Sequence, residues 1–273
     1  QAKLTAEGNA STGANFGYEV SINGDGSYII IGAQTENSNA GVVYIFARSG
    51  TSWTRQHREA AAGTNKRLGF SVSMSESGTY AVSSQILGGT GGEAYVFTRS
   101  GSTWTMGSAI TPSDVAAGDQ FGVSVAIEDD YLVAGSRNDD DGGTSSGSAY
   151  VFTRSGTSWS QQAKLVASDG EANTQLGESV AMSQDTKYVA IGAPDRNENS
   201  VTDPGAVYVF ERDGSTWTQR SKLLTSSPDA SDKFGEEVSI SGDGSFVVGT
   251  APGDDGSGNT INQSGAAYVY EAG

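Results

Sequence analysis

Short runs in which apolar and polar residues alternate recur along the whole chain, each bounded by Gly, Asp, Asn or Ser. One set reads Phe121-Gly122-Val123-Ser124-Val125-Ala126-Ile127, then Tyr131-Leu132-Val133-Ala134-Gly135, then Gly147-Ser148-Ala149-Tyr150-Val151-Phe152, then Ser158-Trp159-Ser160-Gln161. Alternation over such lengths predicts half-buried strands. No segment sustains apolar residues at i, i+3, i+4 and i+7, so almost no helix is expected. The set is written five times. Its opening recurs at Phe16-Gly17, Leu68-Gly69, Phe121-Gly122, Leu176-Gly177 and Phe234-Gly235, in steps of 52, 53, 55 and 58 residues. A period of this size marks a repeat array or a propeller.

The two ends separate these architectures. The fifth copy runs out at Tyr268-Val269-Tyr270-Glu271-Ala272-Gly273, before any tryptophan strand. The chain opens with Gln1-Ala2-Lys3-Leu4-Thr5-Ala6, which matches Gln162-Ala163-Lys164-Leu165-Val166-Ala167, the fourth strand of the third copy. An open solenoid needs caps and gains nothing from such a split. A ring gains closure, because both termini then share one sheet. The expected fold is a single all-β domain over 1–273, a five-bladed β-propeller with four antiparallel strands per blade. The N-terminal strand 1–6 completes the fifth blade beside Ala266–Glu271. Length alone suggests about two domains, but five blades closed by a shared sheet form one unit.

Within one unit the aromatic residues of the third strand lie two apart and so share a sheet face. The pairs are Tyr44/Phe46, Tyr95/Phe97, Tyr150/Phe152, Tyr208/Phe210 and Tyr268/Tyr270. A ladder present in every copy is packing, and Trp53, Trp104, Trp159 and Trp217, which also recur at one position, read the same way, with sugar stacking as the alternative role for the tryptophans. The turns Arg48-Ser49-Gly50, Arg99-Ser100-Gly101, Arg154-Ser155-Gly156 and Arg212-Asp213-Gly214 are predicted hairpins, with glycine supplying positive φ.

These residues resemble the FG-GAP repeat of integrin α-subunit propellers and of many bacterial and algal surface proteins. The Phe-Gly opening stands in three copies and is Leu-Gly in the other two. The closing Gly-Ala-Pro is intact at Gly192-Ala193-Pro194. It is altered at Gly32-Ala33-Gln34, Ser84-Gln85-Ile86, Gly135-Ser136-Arg137 and Thr250-Ala251-Pro252. The resemblance implies a propeller whose strand 2–3 and strand 4–1 loops share one face, the face used for partners. Integrin-like members also bind calcium in the strand 1–2 loop. The nearest match here, Ser21-Ile22-Asn23-Gly24-Asp25-Gly26-Ser27-Tyr28-Ile29, keeps one carboxylate, where calcium takes six to eight oxygens. It reads as a plain turn.

The copies differ mainly in the strand 2–3 loop, which spans 35–40, 87–91, 138–146, 195–204 and 253–264. Variable loops on a fixed scaffold are where binding usually sits. The acid collects there: Asp139, Asp140, Asp141, Asp195, Asp203, Asp254 and Asp255 are the candidate binding residues. Asp139-Asp140-Asp141 is the candidate metal cluster, for calcium, if backbone carbonyls add oxygens. Basic residues counted on that face are few: Lys66, Arg67, Arg137, Arg196 and Lys233.

Net charge is −16 and the chain has no cysteine. Acid of this density repels phosphate backbones, which argues against nucleic acid and anionic lipid as partners. No apolar run is long enough to span a membrane, and the chain opens inside a predicted strand, as a mature or trimmed product does. Asn9-Ala10-Ser11 and Asn262-Gln263-Ser264 are candidate N-glycosylation sites at Asn9 and Asn262. The only histidine, His57, lies on a strand, and no nucleophile elbow or phosphate loop is present. The expectation is a non-catalytic, extracellular or cell-surface binding and adhesion module with a protein or assembly partner. The alternatives are a structural subunit, a homo-oligomer formed by terminal-strand exchange, and a glycan-binding, lectin-like module.

Overall fold

The computed structural model of the protein describes residues 2–6, 12–87, 89, 91–255 and 264–271. Its strands form five antiparallel sheets in chain order. The first contains β1 (Val20–Ile22), β2 (Tyr28–Ala33), β3 (Val42–Ser49) and β4 (Ser52–Ala60). The second contains β5 (Val72–Met74), β6 (Tyr80–Gln85), β7 (Glu93–Ser100) and β8 (Thr103–Met106). The third contains β9 (Phe121–Glu128), β10 (Tyr131–Ser136), β11 (Ser148–Ser155) and β12 (Ser158–Leu165). The fourth contains β13 (Val180–Met182), β14 (Tyr188–Ala193), β15 (Ala206–Asp213) and β16 (Thr216–Leu223). The fifth contains β17 (Val238–Ile240), β18 (Phe246–Ala251) and β19 (Ala266–Glu271). Helix is confined to one turn, Glu36–Asn39, in which Asn37, Ser38 and Asn39 adopt left-handed φ of 55°, 59° and 61°. The arrangement is consistent with a five-bladed propeller, and the sheets are called blades below.

The pattern of two dictates how blades meet. In β3, Val43 and Ile45 point one way and Tyr44 and Phe46 the other. Val43 and Ile45 pack against Leu68, Val72, Met74 and Phe97 of the second blade. In the same way Val133 and Val151 meet Tyr208 and Phe210, and Val207 and Val209 meet Tyr268 and Tyr270. The aromatic faces of the second to fifth blades thus lie on the branched aliphatic face of the blade before. The family's two glycines sit where backbones touch. A Cβ on Gly192 would lie 1.9 Å from the Gly235 carbonyl oxygen, and one on Gly32 would lie 2.1 Å from that of Gly69. The first strands of successive blades adjoin one another. Serine hydroxyls tie them: Ser21 Oγ accepts from Met74 N (3.0 Å), Ser71 Oγ from Val125 N (3.1 Å) and Ser124 Oγ from Val180 N (3.0 Å). Gln184 Nε2 of the fourth blade donates to Glu76 of the second (3.0 Å), so these strands converge on an axis.

The N-terminal segment lies where the repeat places it against the first blade. Leu4 and Ala6 pack on Ile31, Ala33, Tyr44 and Phe46, as Leu165 and Ala167 pack on Ile191, Ala193, Tyr208 and Phe210. Arg55 Nη1 donates to the Ala6 carbonyl (3.4 Å), where Gln219 Oε1 accepts from Ser168 N (2.9 Å) in the fourth blade. Residues 2–6 carry no strand assignment, however, and the last sheet has three strands rather than four. On either side of this junction Val20, Ile22 and Val269 are 58%, 56% and 66% exposed.

Candidate functional site

The variable loops are anchored at their roots by a buried motif that each blade builds differently. The third-strand tyrosine hydroxyl donates to a carboxylate in every blade. Tyr44 donates to Glu36 (2.8 Å), Tyr95 to Glu93 (2.6 Å), Tyr150 to Asp139 (2.5 Å), Tyr208 to Asp169 (2.8 Å) and Tyr268 to Asp254. Three blades add a cation five residues after the tryptophan. Arg58 bonds Glu36 (2.7 Å), Lys164 bonds Asp139 (2.9 Å) and Lys222 bonds Asp169 (2.9 Å). Glu36, Asp139 and Asp254 stand at one position of their strand 2–3 loops. In the fourth blade that position is Arg196, and Asp169 from the preceding strand 4–1 connection supplies the charge, 3.1 Å from the guanidinium.

The third blade carries the densest cluster. Asp114 from a strand 4–1 connection meets Asp139 and Asp141 from the long loop, their oxygens within 4.8 Å of one another. The Lys164 ammonium lies among them, 3.0 Å from Asp114 and 2.6 Å from Asp141. Ser148 Oγ also donates to Asp139 (3.0 Å). Burial alone would raise the Asp139 carboxyl, but Tyr150 and Lys164 outweigh it and hold it below the ordinary carboxylate range. Burial would likewise lower the lysine, and the surrounding carboxylates hold it well above its usual value instead. Asp140 turns away, and its Oδ1 accepts from Ser145 N (2.7 Å). The three carboxylates converge on the Lys164 ammonium, and a divalent ion there would have to displace it. In the strand 1–2 turn, Asp25 Oδ1 accepts from Ser27 N (2.8 Å) and Asn23 Nδ2 (2.9 Å), the hydrogen bonding of a closed turn.

The other candidates divide between scaffold and surface. Asp195 pairs with Lys233, and Asp254, buried, holds Tyr268. Asp203 has a left-handed φ of 52°, and its carbonyl accepts from Lys233 N (3.1 Å). Asp255 is half-buried. Asn9 and Asn262 lie outside the described residues. His57 packs edge-on against Phe97, with ring centroids 5.6 Å apart, and its Nε2 stands 3.5 Å from Glu59. Burial pulls its pKa down, against Glu59. The count of basic residues on the loop face needs correction, since Arg58, Lys164 and Lys222 reach it from the fourth strands. Their common distance from the tryptophan was the signal.

One other feature departs from the repeat. β8 is four residues long, where β12 and β16 have eight. Gly107 N still bonds the Val96 carbonyl (2.8 Å), but Ser108-Ala109 leave the sheet, which Ile110 rejoins opposite Ala94. A cleft of about 340 Å3 opens there at the outer rim, between the second and third blades.

Comparison with known families fits this architecture. The FG-GAP repeat model matches residues 1–46, 104–152, 159–210 and 217–270. Among curated proteins none matches the chain. Each matched stretch after the first begins at a fourth strand and ends in the third strand of the next blade, so the family's unit straddles a blade junction. The stretch between the first two matches contains the second blade's altered Ser84-Gln85-Ile86. With most of its length matched, and with the paired glycines in backbone contact, the chain belongs to the FG-GAP repeat family.

Proposed function

We propose that this protein is a non-catalytic, extracellular binding and adhesion propeller that engages a protein partner through its strand 2–3 and 4–1 loops. The observation that carries this reading is the division of labour on that face. In three blades the strand 2–3 loop, and in the fourth the preceding strand 4–1 connection, is fastened at its root by a tyrosine–carboxylate bond, while loop length and outer sequence differ from blade to blade. Fixed roots and varied tips suit recognition. Asp139 and Asp254 belong to the roots and Asp141 and Asp195 are neutralised by lysines; Asp140, Asp203 and Asp255 follow the root position in their loops and are the candidates for contact. Lys164 supplies the charge that a bound cation would otherwise provide. The test is capture of extracellular proteins on the immobilised domain, repeated with Asp140, Asp203 and Asp255 changed to Asn. Salt-sensitive capture that the triple variant loses supports the reading. Capture that the variant keeps overturns it.

The same reading includes a closed ring, with residues 1–6 as the outer strand of the fifth blade. At three junctions the hairpin arginine stacks on an aromatic of the preceding blade: Arg99 on Tyr28, Arg154 on Tyr80 and Arg212 on Tyr131, each 4.5 Å from the ring centre. The matching pair across the fifth junction is Arg48 and Phe246. A double-mutant cycle on these two should give a coupling of about 0.5–1 kcal/mol. A cycle without coupling leaves the ring open.

A further inference from the structure

We propose that the rim cleft between the second and third blades is a binding site for a neutral saccharide. At this junction the second blade lacks a side chain that the third blade has. At the next junction, Gln162 of the third blade reaches across and accepts the indole N–H of Trp217 (2.8 Å). The residue of the second blade at the position of Gln162 is Gly107, and the tryptophan opposite it is Trp159. Nothing among the described residues accepts the Trp159 indole N–H, and Trp159, half-buried, lines the cleft. The change continues along the strand. Ala109 stands where the other blades carry Arg58, Lys164 and Lys222, so the long cationic arm is absent too.

What remains has the chemistry of a sugar site. The lining contains no charged residue, although the chain carries 48 Lys, Arg, Asp and Glu residues in all. Trp159 gives it aromatic surface, with the buried Phe152 behind it. Around them stand hydroxyls that both donate and accept, from Thr98, Ser108 and Ser158. Gln161 adds an amide: its Oε1 is held by Ser113 N (3.0 Å), which leaves the amide nitrogen to donate. A sugar ring offers an apolar C–H face and hydroxyls of both senses, and neither requires a charged partner. A ligand hydroxyl would accept the Trp159 N–H that Gln162 accepts from Trp217 one junction on. The volume lies at the lower end of the range for small-molecule sites, about 300–1,000 Å3.

The test uses methyl glycosides of glucose, galactose, mannose and N-acetylglucosamine, followed by saturation-transfer NMR and tryptophan fluorescence. At least one should bind the wild-type protein, with an affinity that changes less than about twofold between low and high salt. Trp159→Phe keeps an aromatic ring but removes the N–H, and should weaken binding about tenfold. Gly107→Gln restores the side chain that the third blade has and should abolish binding. A Cβ at this position would lie 3.3 Å from the Val96 carbonyl oxygen, a tight contact that a shift of a few tenths of an ångström relieves, so the variant should fold, and its melting temperature is read alongside binding. The proposal is overturned if none of the four glycosides binds, or if binding survives Gly107→Gln in a folded protein.

Discussion

At the scale of single residues, a carboxylate's role depends on what its neighbours donate, and sequence does not display that. Asp139, Asp140 and Asp141 are consecutive and chemically equal on paper. In the fold the first is buried under Tyr150, the second caps its own loop and the third meets Lys164. Lys164 is 25 positions from Asp139, so only knowledge of the blade register brings them together. Lys164→Met should leave three carboxylates facing one another, at a cost of about 2 kcal/mol, or roughly 4–8 °C in Tm. Millimolar calcium should recover part of that loss in the variant and leave the wild type unmoved, as read by thermal unfolding. At the axis, Glu128 receives the Glu76 N–H (3.0 Å) but is pushed up to about 7, first by burial and then by the charges of Asp129 and Glu76. Its folded value exceeds the ordinary 4.5, so the folded state holds the extra proton. The stability this adds is complete below the ordinary value and is lost as pH rises through about 7. Tm should therefore fall from pH 5 to pH 8, and Glu128→Gln should shrink that fall by about 2–4 °C.

At the scale of elements, the strands were legible because period-two alternation and glycine punctuation agree in nearly every copy. The four hairpin glycines, Gly50, Gly101, Gly156 and Gly214, have φ between 60° and 63°, as their turns require. The aromatic ladder was legible as packing, but the hydroxyl of its tyrosine was not legible as an anchor. Its partner comes from the loop in three blades, from the same strand in the second and from the preceding connection in the fourth. The short β8 was also hidden, since Gly107-Ser108-Ala109 changes side chains without changing repeat length. The family's glycines are a backbone requirement at a junction of two elements. Gly192→Ala should cost about 3 kcal/mol or more in urea unfolding, because the clash is with a carbonyl oxygen. Gly214→Ala, with open space around it, should cost only about 1 kcal/mol.

At the scale of the whole molecule, the count of five and the place of residues 2–6 against the first blade followed from the split repeat. The character of the fifth junction did not. The repeat position of Ser71 and Ser124, whose hydroxyls tie inner strands, and of Ser179 in the fourth blade is Glu19 in the first and Glu237 in the fifth. Both are pushed above the ordinary carboxylate value, first by partial desolvation at the inner strands although each side chain keeps exposed surface, and the Glu237 charge adds to the shift at Glu19. Thr250 stands there in place of the close-packed glycine. These residues face each other only once the chain has gone round, which no local pattern reveals. The glycine that empties one rim position has its own consequence for attachment. Five similar junctions could have offered five equal clefts, and a ring of that kind would grip a surface bearing many copies of one sugar by avidity. Here Gly107 opens the proposed cleft at the junction of the second and third blades, and one such site gives each molecule one sugar contact. Its hold on such a surface is that of one contact, reversible and replaceable, unless several rings are joined, and the strength of adhesion then depends on their number and spacing.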